Sequence, residues 1–140
     1  MQWMFFAFLS AVFAAATSIL AKIGIKNVDS NLATAIRTTV ILVFTWGIAF
    51  SQKSVSQIPN LSKTSVTFLV LSGLATGFSW LFYFRALQLG PASKVVPIDK
   101  LSLVITMVLA AVFLKENVNL QVIIGAVLMT IGTLVIALAK

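Results

Sequence analysis

Long apolar runs with few or no charges alternate with short polar segments along the whole chain. Five runs stand out, at about residues 2–21, 31–50, 64–84, 95–114 and 120–139. Each provides about 20 residues, which at about 1.5 Å per residue is enough to cross the roughly 30 Å hydrocarbon core of a bilayer. None shows the period-two alternation of a membrane β-strand. The pattern therefore predicts an all-α integral membrane protein with five transmembrane helices in a single transmembrane domain, with no separate soluble domain.

Polar residues and turn signals separate the five runs. Residues 2–21 carry no charge, so this run lacks the positive n-region of a signal peptide and is better explained as the first membrane helix. A polar loop, SQKSVSQIPNLSK, separates the second and third runs, with Pro59 and Asn60 as turn residues. The third run ends at Arg85, before a Gly90–Pro91 stop, and Lys115 with Glu116 closes the fourth.

Composition supports a membrane protein and excludes several function classes. The 140 residues are 60% hydrophobic and only 9% charged, with a net charge of +7 and a mean hydropathy of +1.09. The basic residues occur singly between apolar blocks, which is typical of membrane anchors and argues against nucleic-acid binding. The sequence has no Cys and no His. We therefore expect no transition-metal site, no cofactor and no catalytic residues, and we predict that the protein is not an enzyme.

The basic loop residues are almost evenly divided between the two sides of the predicted bundle. On one side lie Lys22, Lys26, Lys94 and Lys140, and on the other Lys53, Lys63 and Lys115. Positive residues fix membrane orientation when their distribution is lopsided, and a count of four against three is nearly flat. A chain with so little bias can insert in both orientations, which permits an antiparallel homodimer.

The third run carries a polar stripe that allows two interpretations. Ser72, Thr76, Ser79 and Tyr83 follow one helical face at i, i+4, i+7 and i+11. Serine and threonine hydroxyls often bond to their own helix carbonyls, which needs no function. The alternative is a lined cavity, favoured by Trp80 and Arg85 near the same end. Small-residue stripes, such as Gly73 with Gly77, predict close helix packing.

Charged residues at or inside the ends of the runs are the strongest functional signal. They are Lys22, Arg37, Arg85, Asp99 and Lys100. A charge in hydrocarbon costs several kcal/mol unless it pairs, reaches the interface or meets water. The surplus cations therefore either extend to lipid headgroups or line a water-filled vestibule that prefers anionic or zwitterionic solutes. Asp99 is too short to reach far toward the interface and is the better functional candidate.

The segment PASKVVPIDKLS, residues 91–102, forms the predicted lip of this vestibule. Pro91 and Pro97 predict a delayed start of the fourth helix, with residues 91–98 outside strict helical geometry. Asp99, Ser102 and Thr106 then continue inward at i, i+3 and i+7. Irregular backbone at membrane depth is tolerated only where protein or water covers it, so the stretch indicates a polar cavity.

Residues 83–138 resemble the C-terminal part of an EamA domain, of the drug/metabolite transporter superfamily. The motifs that carry the resemblance are Tyr83–Leu87, Pro91–Ser93, the corner at Lys115 and Glu116, and Gln121, Gly125, Leu128 and Gly132 in the fifth run. The resemblance implies one five-helix EamA repeat, whereas larger members contain two inverted repeats and work by alternating access. Two departures stand out: Lys115 replaces the usual glycine, and residues 2–21 lack the acid that couples protons in related four-helix exporters.

The resemblance implies a transporter in the cytoplasmic (inner) membrane. We expect export of a small polar or amphipathic metabolite by an antiparallel homodimer surrounded by membrane lipids. The alternatives are a lipid-headgroup flippase subunit and a non-transporting accessory protein or scaffold. The candidate substrate-pathway residues are Asp99, Arg85, Tyr83, Trp80, Ser79, Lys100, Ser102, Lys22 and Arg37.

Overall fold

A computed structural model of the chain describes residues 2–139. Throughout this range the ordered elements are helices, and no strand occurs in it. The elements are α1 (Gln2–Gly24), α2 (Ser30–Ser51), a 3₁₀ helix (Ser54–Asn60), α3 (Lys63–Leu89), α4 (Ala92–Asp99), α5 (Leu101–Phe113) and α6 (Leu120–Leu138). With α4 and α5 taken as one interrupted span, five segments of this range are long and apolar enough to cross a membrane. The predicted all-α class with five long apolar helices is confirmed.

Two helices extend further than the apolar runs. Helix α1 continues to Gly24 and therefore includes Lys22, and α3 continues to Leu89 and includes Arg85. Helix α3 continues past Arg85, where the apolar run ends, and stops directly before Gly90 and Pro91, the stop signal that the sequence contains. A charged residue ends an apolar run without ending the backbone hydrogen bonding, since lysine and arginine are good helix formers.

The fourth span begins earlier than predicted and is interrupted in its interior. Residues 91–98 were predicted to lack helical geometry, but α4 starts at Ala92 with Pro91 as its N-cap. A proline is well tolerated at the start of a helix, where its missing N–H leaves no bond unmade. The disturbance comes at the other end, where Pro97 lies inside α4 and Lys100 forms the turn to α5. The Lys100 amide donates to both the Val96 and the Pro97 carbonyls, at 3.2 and 3.1 Å.

Side-chain caps fix the starts of two membrane helices. The Asp29 carboxylate accepts from the amides of Asn31 and Leu32, at 2.9 and 3.1 Å, and so begins α2. Asn119 does the same for α6 through a 2.9 Å bond from the Val122 amide. Such caps satisfy amides that have no partner within the helix.

The segment between α2 and α3 is more ordered than the polar loop predicted there. Its middle part, Ser54–Asn60, is a 3₁₀ helix that contains Pro59. Lys53 precedes it in the left-handed region, with φ 57°. Short 3₁₀ turns are common connectors between helices, so the turn residues identified in the sequence are compatible with this structure.

The chain divides into two compact units. In one, residues 2–19 and 89–139, α6 packs against α4 and α5, and Thr133 is buried. In the other, residues 20–88, the large buried side chains are Ile25, Phe84 and Leu87. That the two units form a single transmembrane domain stays a prediction. Most large apolar side chains are exposed, as expected where lipid replaces a protein core.

The glycine pair of α3 does not pack closely within the described chain. A Cβ atom added at Gly73 or Gly77 would meet no atom within 4 Å, and the same holds at Gly125 and Gly132 in α6. The close packing predicted for these stripes is therefore not made at these glycines by residues 2–139. The pair at 73 and 77 leaves a smooth patch on α3 to which another helix can come close.

Candidate functional site

Arg37 and two aromatic rings form the most distinctive polar arrangement in the unit of residues 20–88. Arg37 is the eighth residue of α2, and Trp80 and Phe84 lie on α3. The guanidinium carbon of Arg37 is 4.2 Å from the centre of the Trp80 ring and 5.2 Å from that of Phe84. Both distances are within the range of a cation–π interaction. The cation is thus held against aromatic faces at the level of the membrane.

Helical spacing on both helices brings these groups together. On α2, Ser30, Thr34 and Arg37 follow one face, and the first two are buried. The Thr34 hydroxyl donates to the Ser30 carbonyl at 2.8 Å, so this burial leaves its donor satisfied. On α3, Trp80 and Phe84 lie one turn apart.

The end of α3 is hydrogen-bonded to the last turn of α1 and to the segment that follows α1. The Lys22 ammonium donates to the carbonyl of Leu87, and the Gln88 amide donates to the carbonyl of Val28 at 2.8 Å. A lysine at this place satisfies a carbonyl that has no partner in the last turn of a helix and favours the negative end of the helix dipole. Lys22, a predicted pathway residue, therefore has a structural role in this unit.

Arg85 lies on a different face of α3 from the Arg37 site. Its guanidinium donates to the Gln88 side chain at 2.9 Å, and the residue is exposed. It borders an open recess whose other lining includes Asp29, Phe78 and Phe82. The structure therefore does not place Arg85 in direct contact with Trp80, although both were assigned to one pathway.

The structure decides between the two interpretations of the polar stripe on α3 for some of its residues. The Thr76 hydroxyl donates to the Ser72 carbonyl at 2.9 Å, which is the structural interpretation of this stripe. Ser79 is exposed, and the half-buried Tyr83 ring makes an edge contact with Phe84 at 6.3 Å between centroids. Tyr83 thus borders the aromatic side of the Arg37 site, whereas no contact of Ser79 with that site is present among residues 2–139.

The second charged arrangement lies where the fourth span is interrupted. Asp99 ends α4, and its carboxylate is 3.5 Å from the ammonium of Lys100 in the turn before α5. Ser102, on the first turn of α5, is exposed. The two adjacent charges therefore neutralise each other locally, about 10 Å from the start of the span at 1.5 Å per residue.

Packing against α6 holds this interruption in place. The buried Thr133 hydroxyl lies 3.4 Å from the Pro97 carbonyl, and the Lys94 ammonium donates to the Ala139 carbonyl. Sequence reasoning missed Thr133 as a partner of the proline segment and missed Phe84 as the second ring on Arg37. The spacing of Phe84, four residues after Trp80, was the available signal for the latter.

A groove of about 490 Å³ between α5 and α6 has an almost wholly apolar lining. Residues such as Val104, Met107, Ala111 and Ala126 form its walls. It offers no charge or amide to a polar solute, so its chemistry matches lipid or another apolar helix. No cluster of three His, Cys, Asp or Glu residues that could hold a metal ion exists between residues 2 and 139.

Comparison with known proteins agrees with this architecture. Residues 1–138 match the EamA-like transporter family. A protein of Sinorhizobium sp., named as an uncharacterized transporter in the cobO 3′ region, is 43% identical over 136 residues, which are 97% of this chain and 96% of that protein. An uncharacterized protein of Methanocaldococcus jannaschii, MJ1333.1, is 33% identical over 75 residues, 54% of this chain and 55% of that protein. No solved structure gave a significant match.

Proposed function

Because the chain belongs to the EamA-like transporter family, and is thus a multi-pass membrane transporter rather than an enzyme, we propose that it moves a small polar or amphipathic metabolite by alternating access. The observation that carries this proposal is the interruption of a membrane-spanning helix at the Asp99–Lys100 ion pair. Interrupted helices whose ends meet a polar group near mid-membrane are typical of substrate sites in secondary transporters.

The proposed pathway includes the interruption and the cationic residues of the other unit. Its residues are Asp99, Lys100, Ser102, Ser79, Trp80, Tyr83, Arg85, Lys22 and Arg37. A helix with an ion pair at this depth is stable only where water or protein covers the charges, which favours a polar route over a lipid-facing position. We place the protein in the cytoplasmic (inner) membrane, where an exporter of metabolites would act.

We further propose that two copies in opposite orientation complete the pathway. The Sinorhizobium relative named as a transporter aligns over 96% of its own length, so it has no room for a second unit of this size. The nearly even division of basic loop residues permits both orientations. The Gly73–Gly77 patch on α3, which has no neighbour within 4 Å, offers a surface for close contact with another helix.

Transport by reconstituted protein tests the proposal. A panel of metabolites is screened for thermal stabilisation of the purified protein, since a ligand of the folded state raises its melting temperature. Counterflow of the best ligand is then measured in proteoliposomes with the wild type, Asp99→Asn and the control Asp29→Asn. Asparagine is as good an N-cap as aspartate, so the control removes an acid while keeping α2 capped.

We expect counterflow by the wild type and by Asp29→Asn. Asp99→Asn, at unchanged protein level, should lower the counterflow rate by about tenfold or more, as is typical when a positioned charged group is removed. Ligand binding without counterflow would make the protein a non-transporting accessory component. A reporter fused to the C-terminus that gives signal on only one side of the membrane would exclude the antiparallel dimer.

A further inference from the structure

Arg37 lies well inside the membrane-spanning part of α2. It follows Ser30, the first residue of the helix, by seven positions, which corresponds to about 10 Å at 1.5 Å per residue. The hydrocarbon half-thickness of a bilayer is about 15 Å. The side chain is half-buried, so its charge is not fully covered by protein.

The guanidinium has aromatic faces beside it, with Tyr83 also close enough to interact electrostatically, but it makes no hydrogen bond within residues 2–139. Stacking on Trp80 and Phe84 uses the flat face of the group and leaves the five N–H donors at its edge. Within residues 2–139 no oxygen accepts a hydrogen bond from Arg37, and no carboxylate forms an ion pair with it. The donors at the edge are therefore available to water or to an oxyanion, as far as residues 2–139 are concerned.

The energy terms also indicate that the guanidinium needs hydrogen-bond acceptors in addition to the two rings. A central arginine costs about 3 kcal/mol on insertion scales, and considerably more when it cannot reach water. A partly desolvated cation–π contact returns about 1–2 kcal/mol, and the second ring, 5.2 Å away, adds less. The two rings orient the cation and offset part of the cost. They do not replace the hydrogen bonds that its edge would make in water.

The direction of the side chain argues against simple extension to lipid headgroups. The N-terminal end of α2 and the C-terminal end of α3 lie on the same side, because consecutive spans run in opposite directions. Phe84 is five residues from the end of α3, whereas Trp80 is nine residues from it and therefore deeper. The guanidinium lies closer to the deeper ring, 4.2 Å against 5.2 Å. A headgroup-seeking arginine would favour the shallower one.

The charge of the surrounding unit selects the sign of a ligand. Residues 20–88 contain six basic side chains, namely Lys22, Lys26, Arg37, Lys53, Lys63 and Arg85, and a single acid, Asp29. The Asp29 carboxylate is occupied with the amides at the start of α2. The excess of basic side chains disfavours a cationic solute here, whereas an anion could bind to the forked donors of the guanidinium.

We propose that the Arg37 guanidinium, held on the Trp80 and Phe84 rings, binds the oxyanion of the transported solute, a carboxylate or a phosphate. The proposal rests on the transport function proposed above and assigns it a substrate class. The stacked rings fix the plane of the guanidinium, so its edge is presented for a bidentate contact without further ordering. A phosphate-bearing lipid headgroup has the same chemistry, and the experiment below separates the two sources.

Quenching of Trp80 fluorescence measures whether anions reach the site. Trp3→Phe and Trp46→Phe, at two exposed positions, leave Trp80 as the single tryptophan. Iodide, an anionic quencher, and acrylamide, a neutral one, are titrated at constant ionic strength into protein in phosphatidylcholine vesicles. Arg37→Gln removes the site charge, and Lys26→Gln, an exposed lysine of the same unit, is the matched control.

We expect iodide to quench Trp80 at least about threefold less in Arg37→Gln than in the parent, because a cationic site concentrates anions locally. Acrylamide quenching should be equal in both, and Lys26→Gln should behave as the parent. Equal iodide quenching in parent and Arg37→Gln would overturn the proposal. So would a Trp80 that neither quencher reaches, because the site would then be closed to solutes.

Competition identifies the source of the oxyanion. Inorganic phosphate or acetate should protect Trp80 from iodide in the parent and not in Arg37→Gln. Protection by phosphatidylglycerol in the vesicles, with none by the free anions, would assign the site to a lipid headgroup and overturn the solute assignment. The assay requires no transport. Anion binding without counterflow would refute only the transport function, and counterflow of a cation unaffected by Arg37→Gln would refute only the oxyanion site.

Discussion

Replacement of Lys115 by glycine should stabilise the protein. Lys115 follows α5 with φ 54°, in the left-handed region, where a Cβ atom crowds the following carbonyl. The next amide, of Glu116, turns back to the Ala110 carbonyl at 3.3 Å, so the conformation belongs to the helix end itself. This is the position at which the resemblance to EamA domains implies a glycine.

The expected gain follows from two opposing terms. A left-handed conformation costs a residue with a side chain about 1–2 kcal/mol. Glycine loses more backbone entropy on folding, which offsets about 0.5–1 kcal/mol of that gain. The Lys115 side chain is exposed and forms no hydrogen bond or ion pair within residues 2–139 that its removal would lose. Lys115→Gly should therefore raise the free energy of unfolding by about 0.5–1 kcal/mol.

Reversible unfolding in mixed micelles, followed by far-ultraviolet circular dichroism, measures this difference. Lys115→Ala is the matched control, because it removes the same charge and keeps the Cβ atom, and it should remain within about 0.5 kcal/mol of the wild type. Lys53→Gly, at the other non-glycine residue of positive φ in residues 2–139, should be stabilised in the same way. Equal stabilities of Lys115→Gly and Lys115→Ala would refute the reasoning, since the gain would not depend on the backbone conformation.

Two further predictions concern the unit of residues 20–88. A double-mutant cycle of Arg37→Gln and Trp80→Leu should give a coupling of about 1 kcal/mol in the free energy of unfolding. A coupling near zero would mean that the 4.2 Å cation–π contact contributes nothing to stability. Lys22→Met should destabilise the protein by about 1–3 kcal/mol, because the Leu87 carbonyl loses a charged donor, while Lys26→Met in the same micelle assay should change stability by less than about 0.5 kcal/mol. Similar losses in both lysine variants would show that net charge, and not this hydrogen bond, is responsible.

The two charged arrangements differ in how their charges are compensated. Asp99 and Lys100 neutralise each other within one turn of backbone, at the interruption of the fourth span. Arg37 stacks on two aromatic rings and forms no ion pair within residues 2–139, so water or a bound anion can compensate its charge. The Asp99–Lys100 pair is therefore suited to shaping the helix interruption, whereas Arg37 is suited to ligand recognition. In the sequence, both are simply charges near the ends of the spans.

The sequence by itself determined the number and type of the elements. Five apolar runs of about 20 residues predict five membrane helices because backbone groups in lipid must bond within their own segment. The corner at Lys115 and Glu116 also lies where the sequence predicts the end of the fourth run, whereas the caps at Asp29 and Asn119 were found only in the structure. Helix ends were less certain, since an apolar run stops at the first charge whereas a helix stops only when its hydrogen bonding is broken, as at Gly90 and Pro91.

Only the tertiary structure decided what the charged side chains contact. Arg37 and Trp80 are 43 positions apart, and the sequence gives no reason to prefer this pair over Arg85 with Trp80, which lie on one helix but on different faces. Lys22 satisfies a carbonyl of α3, and Thr133 approaches that of Pro97 from α6. Each of these contacts depends on the rotation of one helix relative to another. All the residues along the interface determine this rotation together, so no local pattern of hydrophobic and polar positions specifies it.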